Sequence, residues 1–259
     1  MKLHFLGAHN TESKQAKMVS LVVDDVIAVD AGGLTSSLSF RSQTKLKSVL
    51  LTHQHYDHIR DLPALAMNLY ARGASVEVVS TLPVLDALRT YLFDGSLYPN
   101  FFDPRDGRTV LRFRQIDPHQ TLSIGDYTVR AEPVVHPVPT VGFHITGPQG
   151  EAAFYSGDTG PGLFETWRHI SPQVVVIEVT LSDRHIERAR QTGHLTPNLL
   201  GAELATFRQM KGYLPKVVAV HMDPTLEATI EKEISTVASD LPADISLAHE
   251  GMVLDIPAP

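Results

Sequence analysis

Thr52-His53-Gln54-His55-Tyr56-Asp57-His58 is the stretch on which the reading of this chain turns. It follows directly on an apolar run, so it lies where a strand ends. His53 and His55 are two positions apart, and an extended strand end would project both imidazoles to one side. The chain then turns, so that Asp57 and His58 can face a second point close by. A lone histidine at such a position is usually a structural residue with one partner. Four side chains of metal-ligand type packed into one short segment make a site pattern instead.

Three further positions extend it. His136 follows Val134-Val135, Asp158 lies in Tyr155-Ser156-Gly157-Asp158-Thr159-Gly160, and His221 follows Val217-Val218-Ala219-Val220. Each stands at the end of an expected strand, where a common sheet edge would gather them. Composition narrows the chemistry. There are no cysteines, which removes disulfides, thiolate metal sites and cysteine nucleophiles together, and 13 histidines remain to act with Asp and Glu. A net charge of −7 argues against a nucleic-acid surface, and Arg105, Arg108, Arg112 and Arg114 cluster only modestly. A small anionic substrate could still enter a pocket made positive by bound metal. No stretch approaches the ~20 apolar residues needed to span a bilayer. The segment Met1-Lys2-Leu3-His4-Phe5-Leu6-Gly7 lacks a signal peptide's features, which predicts a cytoplasmic location. The oligomeric state is left open, a homodimer included.

With no internal repeat, low-complexity tract or linker, residues 1–259 read as one domain. Strands are expected over 3–6, 19–23, 26–30, 48–52, 76–80, 127–135, 141–146, 152–155, 174–177, 217–220 and 245–247. Helices are expected over 61–72, with Asp61 as N-cap and Pro63 in the first turn, and over 83–93, 162–169, 197–210 and 226–241. Residues 94–120 read as a long loop, of the kind that often forms a lid or binding loop. Its aromatics Tyr98, Phe101 and Phe102 are candidates for stacking a base. Strands first, with helices interspersed and increasing later, suit two packed sheets with helices outside.

These residues resemble the metallo-β-lactamase superfamily of binuclear hydrolases, from Phe5-Leu6-Gly7 through Val29-Asp30-Ala31-Gly32 to His221. The resemblance implies an α/β (α+β) fold, a four-layer αββα sandwich with the metals at one edge. It also implies that His53, His55 and His136 hold one divalent ion, that Asp57, His58 and His221 hold the other, and that Asp158 bridges. Asp30 would then support the site without being a ligand. Zinc is the expected metal, with iron or manganese as alternatives, since sites of this type accept each. Such a pair acidifies a shared water and binds phosphoryl oxygens. The superfamily's oxygen- and nitric-oxide-reducing members typically carry glutamate where this chain has His55, so histidine there favours hydrolysis.

His194, in Thr192-Gly193-His194-Leu195-Thr196-Pro197, is the candidate general acid, and Glu178, ending Val174-Val175-Val176-Ile177, the residue that orients it. The pair resembles the Glu/His duo of the superfamily's phosphodiesterase branch, which includes the tRNA 3′-endonucleases. Asp57 counts among both the ligands and the catalytic residues. The segments Leu82–Phe93, Leu97–Phe101, Asp158-Thr159-Gly160-Pro161 and Gly193–Leu204 are most similar to the class II cyclic-nucleotide phosphodiesterases. Tyr56 and Asp61 depart from that family's usual leucine and glycine. The implied reaction is hydrolysis of a small phosphodiester, a 3′,5′-cyclic nucleotide, by metal-activated hydroxide. The alternatives are a tRNA 3′-endonuclease, whose basic glycine-rich arm is not found, a lactonase or arylsulfatase, and an inactive binding protein. His4, His9, His119, His144, His169, His185 and His249 read as structural or surface residues.

Overall fold

The computed structural model describes residues 1–104 and 107–259, so Arg105 lies outside the described residues. β1 (Lys2–Gly7), β2 (Ser20–Val23), β3 (Ile27–Val29), β4 (Ser48–Leu50), β5 (Val76–Ser80) and β6 (Leu111–Gln115) lie side by side in one sheet. A second sheet holds β7 (Thr121–Ile124), β8 (Tyr127–Pro133), β9 (Val141–Thr146), β10 (Ala152–Tyr155), β11 (Val174–Glu178), β12 (Lys216–Val220) and β13 (Ile245–Leu247). The chain then returns as β14 (Val253–Asp255) on the free edge of β1, giving seven strands to each sheet.

Alternation along the strands builds the layers. Leu21, Val23, Val29, Leu50 and Val79 face the second sheet's Val129, Ala131, Phe143 and Phe154 in one core. Their neighbours Val22, Ala28, Val49 and Val78 point the other way, under Leu62, Leu65, Ala66 and Leu69 of helix Leu62–Tyr70. On the far side, Trp167, Phe207 and Ile230 bring helices Phe164–His169, Pro197–Lys211 and Glu227–Asp240 onto the second sheet. The result is the expected αββα sandwich. Every residue of β11, Val-Val-Val-Ile-Glu, is buried, as suits a parallel strand covered on both faces.

Strand direction explains why distant residues meet. β3, β4 and β5 run parallel. β10, β11 and β12 run parallel as well, and β8, antiparallel to β9 as β9 is to β10, shares their direction. The carboxyl ends of β8, β10, β11 and β12 therefore open at one edge of their sheet. Gly157, just past β10, adopts φ +61°, and a Cβ there would stand 2.8 Å from the Thr52 side chain past β4. That close approach brings the corresponding edge of the first sheet alongside.

Several local expectations are corrected. Residues 94–120 are not one loop, because β6 pairs with β5 along the whole of Leu111–Gln115. Phe101 and Phe102 are buried with Phe93 and Val110 beneath the first sheet, so their rings pack in the core and are withdrawn from any base. Asp61 does not cap helix Leu62–Tyr70. Its Oδ2 accepts the Thr35 backbone N–H at 2.7 Å and its Oδ1 the Arg60 Nε–H at 3.0 Å. The helix expected over 83–93 is α-helical only across Leu82–Ala87, then widens into a π-turn over Leu88–Leu92.

Deleting a buried phenyl ring from such a core costs about 3–5 kcal/mol. Phe101→Ala is therefore expected to lose stability of about that size, and Tyr98→Ala, half-buried, clearly less. Urea unfolding followed by circular dichroism compares them, and a Phe101→Ala protein as stable as its parent would show the ring to be dispensable to the core.

Candidate metal centre

The residues singled out from the sequence converge. His53 and His55 sit in the loop after β4 rather than on the strand itself, and Asp57 and His58 fall in the short helix Tyr56–Ile59. His136 follows β8, Asp158 follows β10 and His221 follows β12. His53, His55, His136 and Asp158 each offer a ligand atom within 4.8 Å of the others, and so do Asp57, His58, Asp158 and His221.

Asp158 is common to both groups, and its two oxygens face different ways. Oδ1 lies 3.1 Å from His58 Nε2 and 3.3 Å from His221 Nε2, while Oδ2 lies 3.6 Å from His53 Nε2 and 3.9 Å from His136 Nε2. Asp57 Oδ2 stands 3.1 Å from His221 Nε2, on the Oδ1 side. His55 turns its Nδ1 towards His136 Nε2, at 3.3 Å.

Hydrogen bonds on the outward nitrogens fix four of the five rings the same way round. Thr52 Oγ1 donates to the Asp30 carboxylate, so it can only accept from His53 Nδ1–H, at 3.0 Å. Thr180 Oγ1 donates to Glu178 Oε2 and by the same logic accepts from His221 Nδ1–H at 2.8 Å. His58 Nδ1–H donates to Asp30 Oδ2 at 2.7 Å, and His136 Nδ1–H to the Gly193 carbonyl at 3.0 Å. When neutral, each of these rings presents a bare Nε2 lone pair inward. Burial works in the same direction at His53 and His136, holding their pKa below the ordinary histidine value and favouring the neutral ring. At His58 burial is outweighed by the Asp158 and Asp30 carboxylates, which raise its pKa well above the ordinary histidine value. Burial alone would raise the Asp158 pKa, but His221, His58 and His53 outweigh it and hold the group well below the usual carboxylate range.

The donor set fits a divalent cation. His53 Nε2, His58 Nε2 and Asp158 Oδ1 are buried polar atoms without a hydrogen-bond partner among the described residues. Neutral imidazoles and carboxylates, with no thiolate, are the ligands that zinc, iron and manganese share.

His194 and Glu178 adjoin this cluster. Glu178 ends β11 with its carboxylate buried, and it accepts five hydrogen bonds: from the backbone of Thr159, Thr180 and Leu195, from Thr180 Oγ1, and from His194 Nδ1–H at 2.7 Å. The His194 ring stacks 5.7 Å from His221 and lies 5.3 Å from His136. Burial disfavours its cation, yet the Glu178 carboxylate overrides this and pushes the His194 pKa up to about 9. Thr52, Tyr155 and Thr180 also belong to the site's support, and sequence reasoning did not single them out. Only Thr52 and Thr180 carried a signal, since each is next to or two positions from a residue already in question.

The beta-lactamase superfamily domain matches residues 27–222. The chain belongs to that superfamily. A probable 3′,5′-cyclic-nucleotide phosphodiesterase of Yersinia pestis is 26% identical over 206 residues, which take in 70% of this chain but only 58% of that relative. The structure of yeast PDE1 superposes with a TM-score of 0.83 at 16% identity, covering 98% of this chain and 99% of that one. Human tRNase Z, short form, gives 0.71 at 20% identity, covering 99% and 100%. These two neighbours share the fold. Superfamily membership together with the His/Asp cluster implies that this site uses divalent metal.

Asp30 holds the ring of His58 directly and that of His53 through Thr52. Partners of this kind typically govern metal affinity by 10–100-fold. Asp30→Asn is expected to weaken divalent-ion binding by about that factor, read by competition with a chromophoric chelator. Unchanged affinity in a folded variant would mean that packing alone orients the rings.

Proposed function

We propose that the chain is a binuclear metal-dependent phosphodiesterase whose substrate is a small phosphodiester, a 3′,5′-cyclic nucleotide. The observation that carries this reading is the Glu178–His194 pair beside the His/Asp cluster, a proton donor adjoining a metal-type site. His53, His55 and His136 would hold one ion and Asp57, His58 and His221 the other, with Asp158 between them. Zinc is the proposed metal. Once bound, the ions would acidify a water and neutralise the phosphoryl oxygens.

The chain's own residues supply the rest. Hydrolysis breaks the bond from phosphorus to the 3′ oxygen, and the departing alkoxide needs a proton. His194 Nε2 carries it, since Nδ1–H is engaged by Glu178 and the ring is cationic at neutral pH. Glu178 keeps that ring in one orientation and stabilises its charge. A cavity of about 630 Å³, whose wall includes His136, is large enough for a nucleoside. Leu82, Pro83, Val134 and Val138 give it apolar surface for a base, with Gln115 and Asp117 at hand for polar contacts. This cavity takes over the base-binding role that Phe101 and Phe102 are too buried to fill. The relative named for cyclic-nucleotide hydrolysis favours the same substrate class.

Proton donation to a poor leaving group typically contributes 10²–10⁴-fold. His194→Ala is expected to retain its metal yet lose about that factor on a cyclic nucleotide. Its loss on bis-p-nitrophenyl phosphate, whose leaving group hardly needs a proton, should be much smaller. Equal losses on both substrates, with chemistry rate-limiting and metal intact, would remove the general-acid role. Assays on cyclic AMP, cyclic GMP and precursor tRNA test the substrate class, and cleavage of the tRNA alone would overturn it.

Within the centre, Asp158→Ala is expected to weaken two ions and His221→Ala chiefly one. Metal analysis after replenishment distinguishes them, and the same independent loss from both variants would mean that Asp158 does not bridge.

A further inference from the structure

We propose that His119, Glu132 and His169 form a separate site for an imidazole-preferring transition-metal ion, with zinc as the reference metal, sharing no residue with the main centre. Glu132 lies on β8 with its carboxylate fully buried, whereas the His119 and His169 side chains are 48% and 37% exposed. The three come from three elements: the turn ahead of β7, β8 itself, and the last residue of helix Phe164–His169. His119 Nδ1 stands 2.7 Å and His169 Nδ1 3.3 Å from the same atom, Glu132 Oε2. The two rings meet edge to face, with centroids 4.8 Å apart.

Charge balance alone does not require this arrangement. Arg130 Nε–H already donates to Glu132 Oε1, so the buried carboxylate has its counter-ion. Oε2 has room to accept from two donors, yet among the described residues only His119 is hydrogen-bonded to it, and the second imidazole converges at 3.3 Å without such a bond. Zinc accounts for both. With ligand atoms about 2.0–2.1 Å from a tetrahedral ion, neighbouring ligands stand about 3.3 Å apart. His169 Nδ1 already stands 3.3 Å from Glu132 Oε2, and the three ligand atoms lie within 4.8 Å of one another. Two imidazoles and a carboxylate oxygen are a ligand set that zinc accepts, with a solvent molecule completing the shell. His119 is held at φ +65°, an uncommon conformation for a residue with a side chain, by its N–H donating to the Ala131 carbonyl at 2.7 Å. An ion here would tie the helix that follows the Asp158 loop to the turn ahead of β7.

Zinc titration by calorimetry of chelator-treated protein tests the site. The intact protein is expected to bind about one equivalent more than the His119→Ala/His169→Ala double variant. Both side chains are partly exposed, so the variant should keep its fold by circular dichroism and its hydrolysis of bis-p-nitrophenyl phosphate. Identical isotherms for the two proteins would overturn the site and reduce the cluster to an ion-pair network. If the double variant proves unstable, His169→Asn alone gives the same reading. Ions lost on substituting His53 or Asp158 belong to the main centre, so failure there and failure here are separable.

Discussion

The buried carboxylate of Asp30 is the constraint from which the rest of the site follows. It accepts the Thr52 backbone N–H and Thr52 Oγ1–H from the loop after β4, His58 Nδ1–H from the short helix beyond, and the Tyr155 hydroxyl from the end of β10. Asp30 is fully buried, and burial without these donors would be costly for a carboxylate. With them, one side chain joins both sheets and fixes two imidazoles. Its backbone is left-handed, at φ +54°, a strain of order 1–3 kcal/mol that persists only where surrounding contacts over-determine it. His221, at φ +63°, is in the same condition, held by its N–H on the Ala8 carbonyl at 2.6 Å.

A second supporting unit repeats this logic in the other sheet. Glu178, like Asp30, ends or follows a parallel strand, is buried, and gathers donors from several segments. Through Thr180 it fixes His221, as Asp30 fixes His53 through Thr52. Glu178 also holds His194 directly, whose Nδ1–H occupies its Oε1. The same carboxylate therefore orients the rings of His221 and His194 side by side. Both rings are thus referred to one buried carboxylate at the end of β11.

Much of this was legible in the sequence because the chemistry was local there. The motif from His53 to His58 is contiguous, and the residues His136, Asp158 and His221 each directly follow or closely trail an apolar strand. Strands of the sandwich core announced themselves by apolar runs, and the sheet edge that gathers them follows from their shared direction. What stayed hidden depends on contacts distant in sequence. Tyr155 donates across 125 positions to Asp30, and nothing beside Tyr155 in the chain signals that bond. β6, Leu-Arg-Phe-Arg-Gln, alternates apolar and charged residues as an edge strand does, and neighbouring Pro and Gly residues disguised it. Phe101 and Phe102 looked like binding-loop aromatics because burial is a property of the folded layer. Asp61 has the residue type and position of a helix cap, but Thr35, 26 positions away, claims one of its oxygens and the adjacent Arg60 the other.

Charge gives the centre its last constraint. The seven clustered residues hold two carboxylates and five imidazoles, with neither Lys nor Arg among them. Positive charge to balance Asp57 and Asp158 must therefore arrive either as protons on the histidines or as cations. The two compete for the same lone pairs, because a protonated Nε2 cannot be a ligand. Burial tilts that competition at His53 and His136 by disfavouring the imidazolium. Thr52, Gly193, Asp30 and Thr180 tilt it further by occupying Nδ1, which leaves the inward lone pair as the only nitrogen site to fill. Carboxylates pull the other way at two rings: burial is outweighed at His194 by Glu178 and at His58 by Asp158 and Asp30, so both pKa values are raised and a metal ion entering at His58 would displace a proton.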